Sequence, residues 1–230
     1  MLGGTVPVIT VDGPGGSGKG TVCKRLADRL GWHLLDSGML YRLLALAAMN
    51  RGVGPNKEDT LEVMAGALDV VFEVLPEREG VRAVLEGDDV TDVVRSEDVG
   101  LVASKVASLP RVRDALLGRQ RDFARLPGLV ADGRDMGTVV FTTAPLKVFL
   151  TASVDERARR RHKQLNEKGQ SVSLARLAEA IEARDRSDMQ RAVAPLRAAA
   201  DAVSIDSTTM SIEDVVQQVL ALARQRHLIG

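Results

Sequence analysis

The chain has 230 residues, 45% hydrophobic and 27% charged, which suits a soluble globular protein of one large domain with room for an insert. Lysine plus arginine and aspartate plus glutamate both number 31, so the formal net charge is zero. That balance argues against a general nucleic-acid or membrane-surface binder, and it requires any anion site to be a local concentration of arginine. The single cysteine, Cys23, permits neither an intramolecular disulfide nor a cysteine metal cluster. No apolar run approaches the ~20 residues that span a bilayer. The first residues lack a basic stretch followed by an apolar one, so no signal peptide is expected and a cytoplasmic protein follows.

Val8, Ile9 and Val11 form a short β-branched run of the kind that makes a buried parallel strand, stopping at Asp12. Glycines then fill positions 13, 15, 16, 18 and 20, and a helical pattern follows with Val22, Leu26, Ala27 and Leu30 on one face and Gly31 as its stop. Residues 32–35 read as a second strand, and Ser37 as the N-cap of a helix running to about Asn50. A glycine- and proline-containing linker and a short helix over 58–69 come next.

From Val70 the pattern changes to two β-rich runs, 70–75 and 81–86, with a turn at 76–80 and another break at Gly87-Asp88-Asp89. Residues 68–96 therefore read as a small antiparallel insert. Helices resume near Ser96, break at Leu109-Pro110 and continue from Arg111 to about Arg125. Leu129 to Ala131 is a third buried strand ending in Asp132, and Leu146 to Leu150 a fourth. Ser153 to Glu156 has the form of a capping box opening a basic helix. Ser173 starts a helix with Leu174, Leu177 and Ile181 inward. Ala202 to Ile205 is a fifth strand, and Ser211 to Asp214 caps the last helix, which ends near His227.

Short apolar strands separated by helices imply an α/β fold, a doubly wound five-stranded parallel sheet of the P-loop NTPase type, with a small antiparallel β insert and a helical lid. The division expected is a core of 1–67, 97–152 and 173–230, the insert, and a lid at about 153–172. Ligands in such sheets lie beyond the carboxyl ends of the strands, which makes neighbours of the glycine loop, Asp36-Ser37 and residues 132–135.

Strand, glycine loop and helix are the context of a phosphate-binding loop: successive N–H groups point at an anion, and the helix N-terminus adds partial positive charge. The loop comprises Gly13, Pro14, Gly15, Gly16, Ser17, Gly18, Lys19, Gly20 and Thr21. Lys19 supplies an ammonium for the outer phosphates. Gly20 stands where a hydroxyl often follows the lysine, so the hydroxyl falls to Thr21 and its role toward magnesium is unassigned. Asp132, at the end of an apolar strand, stands where an acid helps to hold magnesium beside such a loop. Arg42 follows strand two and Arg134 follows strand three. Arg184 and Arg191 are seven apart, on one helix face with Asp188. Several arginines around two sets of phosphates is what phosphoryl transfer needs. The basic helix carries Arg157, Arg159, Arg160 and Arg161. It could close over a nucleotide and exclude water, or be an exposed face or an RNA-binding patch.

The stretches I-T-V-D-G-P-G-G-S-G-K-G-T, W-H-L-L-D-S-G-M-L-Y-R, V-A-S-K-V-A-S-L-P-R-V-R, P-G-L-V-A-D-G-R-D-M-G-T-V-V-F and A-R-D-R-S-D-M-Q-R-A-V-A-P-L run over nearly the full length. With them the chain resembles the bacterial cytidylate kinases of the longer type, within the nucleoside monophosphate kinases. The resemblance implies transfer of the γ-phosphoryl group of ATP to CMP or dCMP, with magnesium accompanying ATP. It implies that residues 13–21 bind ATP. Ser37, Arg42, Arg134, Arg184, Asp188 and Arg191 would bind the acceptor's phosphate and sugar, and Ser104, Arg113 and Asp135 would read cytosine. Lys19, Arg134, Arg184 and the lid arginines Arg157 and Arg161 would stabilise the transferring charge, with Asp132 reaching the metal through water. A monomer without nucleic-acid or membrane partners is expected. Kinases acting on UMP, AMP or shikimate are alternatives, as are a nucleotide-driven switch and an RNA-binding module.

Overall fold

The computed structural model describes residues 6–74, 81–167 and 169–230. They divide into two compact units, Met1–Leu35 with Phe123–Gly230, and Asp36–Asp122. The expected turn at 76–80 lies outside the described residues.

The first unit is built on the parallel sheet. Its strands are β1 (Val8–Asp12), β2 (His33–Asp36), β6 (Leu129–Gly133), β7 (Leu146–Thr151) and β8 (Val203–Asp206), in the spatial order β2-β6-β1-β7-β8. β1 pairs in parallel with β6 on one side and β7 on the other, so the chain winds outward in both directions from β1. The carboxyl end of β1 is thus the point where the strand order reverses, the place where such sheets open a crevice. The three central strands β1, β6 and β7 are buried along almost their whole length, as strands covered on both faces are, whereas the edge strands β2 and β8 are partly exposed. Ile9, Val11, Leu146 and Leu150 are fully or almost fully buried against Val22 and Leu26 of α1 (Lys19–Leu30) and Val215, Val216 and Val219 of α8 (Ile212–Gln225). Each such side chain contributes about 1.5–3 kcal/mol by leaving water. α1 stops at Gly31, whose left-handed φ of 63° closes the last turn. α8 opens with the reciprocal Ser211–Asp214 capping box that the spacing predicts.

α6 (Val154–Glu167) and α7 (Leu174–Met189) pack on each other. The capping box expected at Ser153 is half formed. The Glu156 N–H donates to Ser153 Oγ at 3.3 Å. The Ser153 N–H instead donates to Thr208 Oγ1 at 3.0 Å, and the Glu156 carboxylate is taken by Arg159 and Arg160. Leu174, expected inward, is 43% exposed, while Leu177 and Ile181 are partly buried.

The second unit is organised around α2 (Ser37–Asn50). Leu40, Leu43, Leu44, Ala45 and Ala48 are fully buried, so this helix is apolar around most of its circumference. α3 (Glu58–Gly66), α4 (Glu97–Val106) and α5 (Pro110–Arg121) surround it. α3 ends three residues earlier than its pattern predicts, and α5 four residues earlier. α5 begins on Pro110 itself, whose fixed φ suits the first turn. β3 (Val70–Val74), β4 (Val81–Leu85) and β5 (Asp88–Asp89) form the antiparallel sheet, in that order. Asp88 and Asp89 are strand residues and not a break. The turn is Glu86-Gly87, both with positive φ, which is what a two-residue hairpin demands. Among the described residues no helix is long and apolar enough to cross a membrane.

Candidate active site

The glycine loop leaves the carboxyl end of β1 and turns into α1. Gly13 is required there twice over: its φ is +150°, and a Cβ would stand 2.0 Å from the Leu150 carbonyl oxygen. Gly18, with φ of 92°, occupies the N-cap position of α1, so the first helical N–H groups are left for a ligand. Within the loop Ser17 Oγ and Lys19 Nζ both donate to the Pro14 carbonyl, at 3.1 and 2.9 Å.

Lys19 is buried, with Asp132 Oδ1 4.0 Å from its ammonium. Burial first, and then the nearby Arg134 charge, bring its pKa down to about 8, while Asp132 acts in the opposite sense. A buried ammonium held below its ordinary range is poised to gain from an arriving phosphate. Gly20 lies beside Asp132, where a Cβ would come within 3.5 Å of Oδ2. Thr21 is exposed in the first turn of α1. No group of three or more His, Cys, Asp or Glu side chains forms a metal cage among the described residues. One carboxylate beside a phosphate loop fits magnesium that keeps its waters and arrives with nucleotide phosphates.

Three arginines of the first unit, Arg134, Arg157 and Arg160, contact this loop. Arg134 lies over Gly15 and donates through Nε to Asp188 Oδ2 at 3.0 Å. Asp188, 1% exposed, also pairs with Arg191, so one buried carboxylate orients two guanidinium groups. Arg191 falls beyond the end of α7, not on the helix as its spacing suggests. It still reaches Asp188, which lies three residues before it in the chain. Arg184 lies within α7, partly buried. Arg157 is 3% exposed and fully engaged: it donates to Ala152 O at 2.9 Å and Gly15 O at 3.1 Å, and clasps Asp185 with both Nη atoms at 3.1 and 2.5 Å. Arg161, one turn further along α6, is partly buried. Arg160, named in the sequence only as one of the arginines of the basic helix, binds the loop directly. It donates to Ser17 O at 3.3 Å and to Ser207 O at 2.7 Å, and Ser207 Oγ itself donates to Ser17 O at 3.1 Å.

Asp12 is a second residue the sequence left as a mere strand end. Its two carboxylate oxygens accept the N–H groups of Met136 and Gly137, both at 2.8 Å, and it is 4% exposed. Those N–H groups belong to a single wide turn, Met136–Val140, that follows β6 and carries Asp135 at its start. Asp12 thereby ties the root of the glycine loop to the segment bearing Arg134 and Asp135. Burial raises its carboxyl to about 6, although the two N–H bonds oppose the shift.

The remaining candidates lie in the second unit. Ser37, expected as the N-cap of α2, is its first helical residue; Asp36 is the cap, its carboxylate accepting the Met39 N–H at 3.0 Å. Ser37 Oγ donates instead to Gln120 Oε1 at 2.8 Å. Arg42 donates to the carbonyls of Val94 and Ser96, at 2.9 and 3.0 Å, in space that a side chain at Gly100 would occupy. Arg113, buried, stacks on the Tyr41 ring with its guanidinium carbon 5.8 Å from the centroid, and donates to Ala107 O at 3.2 Å. Ser104 is partly buried on α4.

A glycine loop at the reversal point of a parallel sheet, with a buried lysine, an adjacent aspartate and converging arginines, defines a P-loop nucleotide-binding fold of the small-kinase kind. The comparisons with known proteins narrow this. The family model described as cytidylate kinase matches residues 9–225. The chain is 59% identical over 225 residues to the cytidylate kinase of Stutzerimonas stutzeri, covering 98% of both chains. It is 60% identical over 224 residues to that of Pseudomonas syringae pv. tomato, covering 97% of this chain and 98% of the relative. To that of Pseudomonas aeruginosa PAO1 it is 60% identical over 219 residues, covering 95% and 96%. The chain belongs to the cytidylate kinase family.

Proposed function

We infer that this protein transfers the γ-phosphoryl group of ATP to CMP or dCMP, giving ADP and CDP or dCDP. The observation that carries the reading is identity near 60% to cytidylate kinases over almost the whole chain, joined to a glycine loop whose buried Lys19 faces Asp132. The transfer is in line and needs no protein nucleophile; positioning and charge stabilisation suffice. Residues Gly13 to Thr21 hold the ATP phosphates through backbone N–H groups and the Lys19 ammonium. Magnesium enters with ATP, screens charge on its phosphates and meets Asp132 through water. Arg134 and Arg184, with Lys19, stabilise the transferring group. Arg157 and Arg161 belong to the helix assigned as lid, about 153–172. Arg157's grip on the Gly15 carbonyl supports a role beside the loop.

Ser37, Arg42, Arg134, Arg184, Asp188 and Arg191 are assigned to the acceptor's phosphate and sugar, and Ser104, Arg113 and Asp135 to cytosine; these assignments rest on the family resemblance. They are chemically apt. Cytosine offers an N4 amino donor to a carboxylate, and N3 and O2 acceptors to a serine or arginine. Residues 68–96 are taken as the acceptor-side insert, and the remainder as the core. A cytoplasmic monomer acting on small molecules, without nucleic-acid or membrane partners, is part of the same reading.

The test is ADP formation from ATP and magnesium with CMP, dCMP, UMP, AMP and GMP in turn. Strong turnover with CMP and dCMP and weak turnover with UMP is expected. Asp135→Ala should narrow the CMP-to-UMP ratio of kcat/KM by about five- to a hundredfold, the worth of one buried unmatched polar group. A broad acceptor response would remove the base-reading roles, and no acceptor-dependent ADP would remove the activity itself.

A further inference from the structure

The stem of Arg157 packs on the phosphate loop: a Cβ at Gly16, whose φ is +78°, would stand 3.3 Å from Arg157 Cβ. Its guanidinium meets three partners. Nε donates to Ala152 O at 2.9 Å and Nη1 to Gly15 O at 3.1 Å, while Nη1 and Nη2 together clasp Asp185 at 3.1 and 2.5 Å. A guanidinium has five N–H donors, and these bonds engage four of them. The paired donors that suit a phosphate are already taken by a carboxylate. The two side chains are 4% and 13% exposed, so the ion pair is screened far less than one on the surface. The peptide unit joining Gly15 to Gly16 is planar and trans, so its carbonyl and its N–H point in opposite directions. A Gly15 carbonyl held toward Arg157 therefore turns the Gly16 N–H away from α6. Arg160, further along the same helix, holds the Ser17 carbonyl at 3.3 Å, and the Gly18 N–H is turned by the same rule. Alternate N–H groups of the loop are thus set away from α6, as an anion-binding concavity requires.

We propose that Asp185 and Arg157 form a clamp on the phosphate loop: Asp185 holds the Arg157 guanidinium on the Gly15 carbonyl, and the Gly16 N–H is thereby presented to the phosphates of a nucleoside triphosphate. The inference rests on the proposed function and refines it. Arg157, assigned there to the lid, acts through the loop and is a positioning residue, as is Asp185 behind it. Neutralising Asp185 separates this role from direct contact with phosphate. Taking a negative charge away from a phosphate site favours the binding of an anion. An Arg157 that met the phosphates itself would, once released from Asp185, bind ATP at least as well. An Arg157 that sets the loop would lose its anchor, and ATP would bind less well in spite of the change in charge.

The test is titration calorimetry of ATP with magnesium and no acceptor, and of CMP with no donor, on the wild type, Asp185→Asn, Arg157→Lys, Arg157→Met and the double variant of Asp185→Asn with Arg157→Met. Circular dichroism shows which of them fold. Asp185→Asn and Arg157→Lys should each weaken ATP binding by about three- to tenfold, the range for one hydrogen bond. CMP should stay within about twofold of wild type in both, the scatter of such comparisons. Arg157→Met should cost ATP as much as Arg157→Lys, since lysine keeps the charge but not the planar fork. In the Arg157→Met background Asp185→Asn should no longer weaken ATP binding. Undiminished ATP binding by Asp185→Asn, or by Arg157→Lys, would overturn the proposal and return Arg157 to direct contact with phosphate. Equal losses for ATP and CMP would show a general disturbance of α7 and would overturn it as well. Should either Asp185→Asn or Arg157→Lys fail to fold, the other decides by the same criteria. A folded wild type that binds neither nucleotide overturns the functional reading and the proposal together. It is distinguished from the other failures by occurring before any substitution is made.

Discussion

Asp12 makes the sharpest quantitative prediction. Its carboxylate is 4% exposed and its pKa is raised by burial from 3.8 to about 6, against the pull of the Gly137 and Met136 N–H groups. Asp135 pushes in the same direction as burial, and Lys19 opposes it. A folded-state pKa above the unfolded value means that the folded protein binds the extra proton, so the stability associated with Asp12 is fully present below about pH 4 and is lost as pH rises through about 6. The full shift corresponds to about 3 kcal/mol, of which about 1.4 kcal/mol separates pH 5 from pH 7.5. Asp12→Asn removes the titration. Its single carbonyl oxygen serves one of the two N–H groups and its amide nitrogen faces the other, at a cost of about 1–3 kcal/mol that offsets much of the relief from burying a charge. The two proteins should therefore have comparable stability at pH 7.5, and the wild type should gain about 1.4 kcal/mol on the variant at pH 5. Urea unfolding followed by Trp32 fluorescence at both pH values measures this. Groups that do not feel the Asp12 charge titrate alike in the two proteins and cancel in the difference, and Lys19→Met in both backgrounds removes the nearby lysine whose titration Asp12 alters. A difference that is the same at pH 5 and pH 7.5 would show that the buried carboxylate titrates in its ordinary range, and the electrostatic account of this junction would fall.

Lys19, with a pKa near 8, is mostly charged at pH 7 and mostly neutral at pH 9. ATP affinity measured by calorimetry should therefore weaken by up to about tenfold over that interval, and the dependence should vanish in Lys19→Met. Lys19→Ala should cost ~10²–10³ in turnover while circular dichroism stays native; near-normal turnover would take the loop lysine out of the mechanism. Gly13→Ala should destabilise the protein by roughly 3 kcal/mol or more, because its Cβ would stand 2.0 Å from the Leu150 carbonyl in addition to the strained φ. Gly31→Ala, at φ +63° with no atom within 4 Å of the added Cβ, should cost only about 1 kcal/mol. Denaturant midpoints of the two variants test that contrast.

What could be read from the chain directly was whatever is encoded over a few neighbouring residues. β1, the glycine loop and α1 were legible because an apolar run, closely spaced glycines and a lysine act within one turn of each other, and Gly31 ends the helix by its own conformational freedom. The order of short apolar strands and amphipathic helices likewise foretold a parallel sheet, and the five strands are those expected. One local feature, the capping box at Ser153, gave way to a distant partner. The Ser153 N–H went to Thr208, and the half-formed capping box followed from that. The site divides in the same way. Lys19 could be named as a candidate from the glycine loop, and Asp132 and Arg134 from their positions at the end of β6. Asp12 and Gln120 could not, because nothing adjacent to them in sequence marks them, and Arg160 was marked only as one of several arginines on a basic helix. Asp12 acquires its meaning from N–H groups 124 and 125 residues away, Arg160 from Ser17 across 143 residues, and Gln120 from Ser37 across 83. Local sequence sets which elements form and where a phosphate can sit. Tertiary structure decides how each buried polar group is satisfied, because a hydrogen-bond donor or acceptor removed from water must find its partner wherever the fold delivers one.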